Sequence, residues 1–132
     1  MSIVLAHAHN PSADAAFAFA LAEAVAHHCK LVVVNSSRGL AAGDPKLASP
    51  EQLTALEERA TAAGVAIEIE RPMRGNDADA EVLEAAERHT AKMIVIGTRR
   101  RSAMGKFILG STAQRIIMDA DVPVVAVKPA KG

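Results

Sequence analysis

Five short apolar runs recur along the chain: Ile3–Ala6, Leu31–Val34, Val65–Ile69, Met93–Ile96 and Val122–Val127. Most are β-branched and continuous instead of alternating, the pattern of strands covered on both faces. Between them the apolar residues follow helical spacing. Phe17, Leu21, Ala24 and His28 share one face in the first interval, and Leu53, Leu56, Ala60 and Ala63 in the second. Val82, Ala85, Ala86 and His89 do so in the third, and Ala113, Ile116, Ile117 and Ala120 in the fourth. This alternation predicts an α/β domain over residues 1–132, a parallel, doubly wound sheet with right-handed crossovers. At 132 residues the chain is long enough to bury such a core without metal or disulfide staples.

Local signals mark where these elements begin and end. Ser49-Pro50-Glu51-Gln52 joins an N-cap, a proline at the first helical position and a capping-box glutamine. Gly64 supplies the stop of that helix, and Asn76 and Asp77 can cap the third. Residues 35–49 form the one long loop, rich in Gly, Ser and Pro.

Composition narrows the function classes. Cys29 is the single cysteine, so no internal disulfide forms and a reducing compartment fits. The chain opens directly on Ile3–Ala6 without a basic flank, and no run approaches the ~20 apolar residues of a membrane span. A soluble cytoplasmic domain is expected. The formal charge of zero hides an asymmetry. Residues 91–132 carry Lys92, Arg99, Arg100, Arg101, Lys106, Arg115, Lys128 and Lys131 against only Asp119 and Asp121, so anions are the expected visitors there. With no Trp or Tyr and three Phe, the chain has few platforms for stacking bases, which argues against nucleic acid.

Doubly wound sheets bind ligands beyond the carboxyl ends of their strands, where strand order reverses. Two loops compete for that place, His7–Ser12 and Gly97–Leu109. The stretch 97–112, GTRRRSAMGKFILGST, reads as strand end, basic loop and helix start. Backbone N–H groups at Gly110, Ser111 and Thr112 would lack helical partners, and the helix dipole favours an anion there. Two other readings stand beside this anion cradle. Ser111 can be an ordinary N-cap with Gln114 completing a capping box and the arginines solvated, or the arginine run can be a patch for a larger polyanion.

Ile96-Gly97-Thr98, the basic loop, Leu109-Gly110-Ser111 and the closing "VPVVAVKP" together resemble the universal stress protein family. So does "DADAEVLEAAERHTAKMIVIGT", and the βαβ order extends the likeness across the chain. The resemblance implies a Rossmann-like, adenine-nucleotide alpha-hydrolase-like fold, with five parallel strands in the order 3-2-1-4-5 and four helices. It implies a stress-response or regulatory module that binds ATP or another adenine nucleotide, with no metal beyond nucleotide-associated Mg. Nucleotide-binding members carry Gly, two residues, Gly, nine residues, then Gly-Ser or Gly-Thr. Gly97 and Gly110-Ser111 match the outer positions. On that basis Gly97, Thr98, Gly110, Ser111 and Thr112 would hold phosphate and Arg99, Arg100 and Arg101 would supply charge. The loop Ala8, His9, Asn10 and the end of the second strand at Val34–Asn35 would flank the nucleoside. Members of the family also pair their last strand with its twin, which implies a homodimer through Val122–Val127.

Two departures separate this chain from the nucleotide-binding pattern. Arg100 stands where the second glycine belongs, and a non-glycine residue forced to positive φ there costs on the order of 1 kcal/mol. Ala8 stands where relatives have an aspartate on the nucleoside, and Asp14 lies too far along to replace it. The alternative function is therefore a dimeric protein-interaction module that has lost nucleotide binding.

Lesser signals read as structural. His7 and His9, two apart, have no nearby carboxylate or cysteine to complete a metal site. His27, His28 and His89 fall on helices or their ends, Cys29 reads as a small hydrophobe, and Met73, Met104 and Met118 as packing. No nucleophile–base–orienter set is present, so the sequence offers no ground for an enzymatic assignment, and weak nucleotide hydrolysis stays open.

Overall fold

The computed structural model describes residues 1–8, 12–35, 49–72, 77–98 and 109–129. The elements follow in strict alternation: β1 (Ser2–Ala6), α1 (Ala13–His27), β2 (Lys30–Val34), α2 (Pro50–Ala62), β3 (Ile67–Glu70), α3 (Ala78–Arg88), β4 (Ala91–Gly97), α4 (Ser111–Asp119) and β5 (Val124–Val127). The sheet order is β3-β2-β1-β4-β5, and every neighbouring pair is parallel.

Helices cover both faces, which explains the unbroken apolar strands. Leu31 and Val33 of β2 face a core formed with Phe17 and Ala20 of α1 and Leu56 and Ala60 of α2. Val32 and Val34 face the opposite way, toward Val82 and Ala85 of α3 and Ala113 and Ile116 of α4. A strand buried on both sides has no face on which a polar residue is cheap. The edge strand β3 differs. Its Ile67 and Ile69 pack on the α1–α2 side, while Glu68 and Glu70 take the register positions beside Val32 and Val34.

The boundaries have local causes. At α2 the Gln52 backbone N–H donates to Ser49 Oγ at 3.2 Å, and the Ser49 N–H donates to Gln52 Oε1 at 2.7 Å, with Pro50 at the first helical position. The helix ends in a Schellman motif. Gly64, at φ +74°, donates to the Thr61 carbonyl and Val65 to the Ala60 carbonyl. Val65 is thus a buried helix-end residue, and β3 starts two residues later than the apolar run suggests.

Other expectations are corrected at helix ends. His28 is not on the buried face of α1; it takes the left-handed position at φ 54° and is exposed, its N–H donating to Val25 and that of Cys29 to Ala24. Ala63 is exposed beyond α2. His89 stands at the helix end, as the C-cap of α3, with its side chain 10% exposed. On α4, Ile117 is 40% and Met118 81% exposed, so Met118 is not a packing residue among the described residues. Asp77 takes the N-cap position of α3; Asn76, Met73 and Met104 lie outside the described residues. Among the described residues, no helix is long and apolar enough to cross a membrane.

Candidate functional site

The chain leaves β1 toward β2 on one side, and β4 lies on the other, so strand order reverses between β1 and β4. Two backbone bonds continue the ladders one step past the strands there. The His7 N–H donates to the Val34 carbonyl and the Thr98 N–H to the Val127 carbonyl, both at 2.9 Å. His7, Ala8 and Thr98 are thereby held at the carboxyl edge.

Two buried polar contacts pin this edge from opposite sides. Asn35, fully buried, directs Nδ2 to the His7 carbonyl at 3.1 Å and to His7 Nδ1 at 3.3 Å. With the amide donating, Nδ1 is the acceptor and the ring proton sits on Nε2. Ser12, also fully buried, sits at the N-cap position of α1, yet its hydroxyl donates across the reversal to the Thr98 carbonyl at 2.6 Å. That bond joins the start of α1 to the exit of β4, and it leaves α1 without a side-chain cap.

Thr98 itself is 4% exposed, and its Oγ1 has no hydrogen-bond partner among the described residues. Such a group is costly, on the order of 1–3 kcal/mol, so its retention asks for a reason.

The start of α4 overturns one sequence reading. Gly110, at φ −71° and ψ 166°, is the N-cap, and Ser111 is already the first helical residue. No Ser111–Gln114 capping box forms; the Gln114 N–H donates to the Gly110 carbonyl at 3.0 Å and its side-chain Nε2 to the Leu109 carbonyl at 3.3 Å. A glycine N-cap has no side-chain oxygen to offer the N–H groups of the first turn, and among the described residues no side-chain cap bond is made at this N-cap. Ser111 is exposed and Thr112 half-buried beside them.

A small cavity lies under the edge, lined by Leu5, Ala6, His7, Ala8, Ala13, Ala16 and Gly97. Its volume of about 10 Å³ accommodates roughly one water molecule. Of the residues the sequence singled out, the fold brings Ala8 and Gly97 together here. Val34 contributes its carbonyl, its side chain being buried among the α3 and α4 contacts. His9, Asn10, Arg99, Arg100 and Arg101 lie outside the described residues. Asp14, in the first turn of α1, is paired with Arg59 at 2.7 Å and 85% exposed at its side chain. The Ser12–Thr98 bond was not legible beforehand, because its partners are 86 residues apart.

A model of the universal stress protein family matches residues 1–128. A universal stress protein of Mycolicibacterium smegmatis is 36% identical over 127 residues, covering 96% of this chain and 97% of its own. The solved structure of a universal stress protein from Archaeoglobus fulgidus matches with a TM-score of 0.79 at 28% identity, over 96% of this chain and 97% of that one. A structure of the Archaeoglobus fulgidus protein in complex with dAMP matches with a TM-score of 0.74, at 23% identity and 96% coverage of each chain, a likeness of fold.

Proposed function

The chain belongs to the universal stress protein family, and on that premise we propose that it is a cytoplasmic stress-response or regulatory module that binds an adenine nucleotide through its phosphates. The observation that carries this reading is the α4 start. Its glycine N-cap leaves first-turn N–H groups without a side-chain acceptor, in the element that follows β4 in the chain. Gly97, Ser111 and Thr112 suit the phosphates, Thr98 Oγ1 is a buried hydroxyl in want of a partner, and Arg99, Arg100 and Arg101 add charge. The dAMP in the Archaeoglobus fulgidus complex supports the choice of an adenine nucleotide. Ala8 offers no carboxylate, and the cavity beneath it is far smaller than a base. The nucleoside would therefore lie over the strand ends, near Ala8, His9, Asn10 and Val34. Any Mg²⁺ would arrive with the nucleotide.

Displacement of a fluorescent ATP analogue by ATP, AMP and inorganic phosphate tests this directly. Ser111→Ala combined with Thr112→Ala should weaken binding by roughly 1.5–3 kcal/mol, the range for hydrogen bonds to a charged group. Affinity that ignores both changes would sink the phosphate assignment.

The second reading, a homodimeric interaction module, is favoured by the contrast between the two sheet edges. β3 carries Glu68 and Glu70 within the strand, a common protection against pairing, whereas Val124–Val127 carries no charge. The adjoining helix α4 exposes Ile117 and Met118. Pairing of Val122–Val127 with its twin across a two-fold axis would satisfy both edges with one patch. Light scattering on the eluting protein should give a dimer at micromolar concentration, and Ala126→Pro, which removes an N–H facing away from β4, should release monomers. A wild-type monomer would refute the assembly.

A further inference from the structure

We propose that Glu68, Glu70 and His89 form a site for a divalent transition-metal ion of the zinc type, where the carboxyl end of α3 meets the edge strand β3. The site shares no residue with the anion cradle. Each of the three side chains offers one donor atom, and all three donors lie within 4.8 Å of one another. Glu68 and Glu70 are two apart on one face of β3, and His89 comes up from the helix end. One imidazole nitrogen with two carboxylates suits zinc better than magnesium or calcium, which take oxygen donors. Three protein donors leave one position for water.

The distances fit with small movements. Zinc held at about 2.0–2.2 Å from each donor sets tetrahedral donors roughly 3.3–3.6 Å apart. His89 Nε2 and Glu70 Oε2 are now 2.6 Å apart across a hydrogen bond, and an ion replacing that proton opens the pair by about 1 Å or less. Glu68 Oε2 now lies 3.8 Å from the other ring nitrogen, Nδ1, with the three donors within 4.8 Å of one another, so half-exposed Glu68 is the side chain that must swing toward the Nε2–Glu70 pair.

The surroundings already align the donors. Arg88 forks onto Glu70, its Nη2 on Oε1 and its Nη1 on Oε2, both at 2.9 Å. The Oε1 bond can remain when Oε2 turns to a metal, as a supporting contact that orients the carboxylate. The His89 backbone carbonyl accepts from Ser2 Oγ at 3.0 Å, and its N–H donates to Ala85 at 2.9 Å, so the ring is carried by a fixed backbone. The opposing influence is Lys30, whose Nζ sits 3.3 Å from Glu68 Oε2 and competes with an ion for that oxygen.

Calorimetric titration of the full chain with Zn²⁺ alone, in chelator-free buffer and paired with thermal melts, tests the site. Saturable binding at one ion per chain and a raised melting temperature are expected. His89→Gln and Glu68→Gln should each weaken the affinity by at least about tenfold, since even outer partners of metal sites act on that scale. Lys30→Ala should tighten it, an effect of opposite sign that general destabilisation does not produce. Should His89→Gln fail to fold, Glu68→Gln and Lys30→Ala decide, since both alter partly exposed side chains. Absence of saturable binding, equal affinity in wild type and Glu68→Gln, or a Lys30→Ala variant that binds no tighter would each overturn the proposal.

Discussion

Replacing Gly110 with aspartate should raise the stability of the protein while lowering its affinity for nucleotide. The backbone there, at φ −71° and ψ 166°, is open to any L-residue, so the new side chain meets no dihedral strain. Three gains add in the free protein. An aspartate N-cap exceeds glycine by a few tenths of a kcal/mol, and loss of glycine freedom in the unfolded chain contributes about 0.4–1 kcal/mol. Its charge at the positive end of α4 adds about 0.3–1 kcal/mol at low salt. The sum, about 1–2 kcal/mol, should appear as a melting temperature higher by a few degrees. A bound phosphate would lose those same N–H groups and face a like charge. Loss of one charged-group hydrogen bond, about 1.5–3 kcal/mol, lowers affinity by roughly ten- to a hundredfold. Gly110→Ser separates the effects, since it caps without charge and should retain more affinity. The assay is thermal melting and fluorescent-ATP displacement on all three proteins, at low and high salt. A more stable aspartate variant with undiminished affinity would refute phosphate binding at this helix start, and a less stable one would refute the open N-terminus itself.

Thr98→Val should leave the ligand-free fold unharmed or stabilise it by about 1 kcal/mol in urea unfolding, because it removes a buried hydroxyl that has no partner among the described residues while keeping its shape; a clear loss of stability would show that the hydroxyl is bonded. His28→Gly should stabilise by about 1 kcal/mol, since an exposed side chain now holds the left-handed position that ends α1; an unchanged melting temperature would count against strain at that residue. Arg88, forked onto Glu70, and then His89 hold the Glu70 carboxyl below its usual value of 4.5, against the raising effect of burial. A depressed folded value contributes stability above pH 4.5 that is lost as pH falls through the folded value. Glu70→Gln should therefore cost about 1.5–3 kcal/mol at neutral pH and progressively less in acid; a penalty constant across acid titration of the melts would rule the carboxylate out as its source.

Much of the architecture was written locally. Continuous Val, Ile and Leu runs separated by helical spacing admit few folds, because a strand without a polar face must be covered on both sides. The Ser49–Gln52 box and the Gly64 stop stand in the structure as the sequence places them, since their hydrogen bonds span only a few residues. Tertiary structure decided what local rules left degenerate. Gly110 and Ser111 are both acceptable N-caps, and the choice of Gly110 turned an expected capping box into an uncapped helix start. His89 reads along the chain as a helix-end residue; only the docking of α3 on the sheet brings it to Glu70, 19 residues away, and to a half-exposed Glu68. Ser12 looks like a cap for α1 until the parallel pairing of β1 with β4 sets the Thr98 carbonyl within 2.6 Å of its hydroxyl. For His89 and Ser12 the partner taken was set by elements that meet only when the sheet assembles.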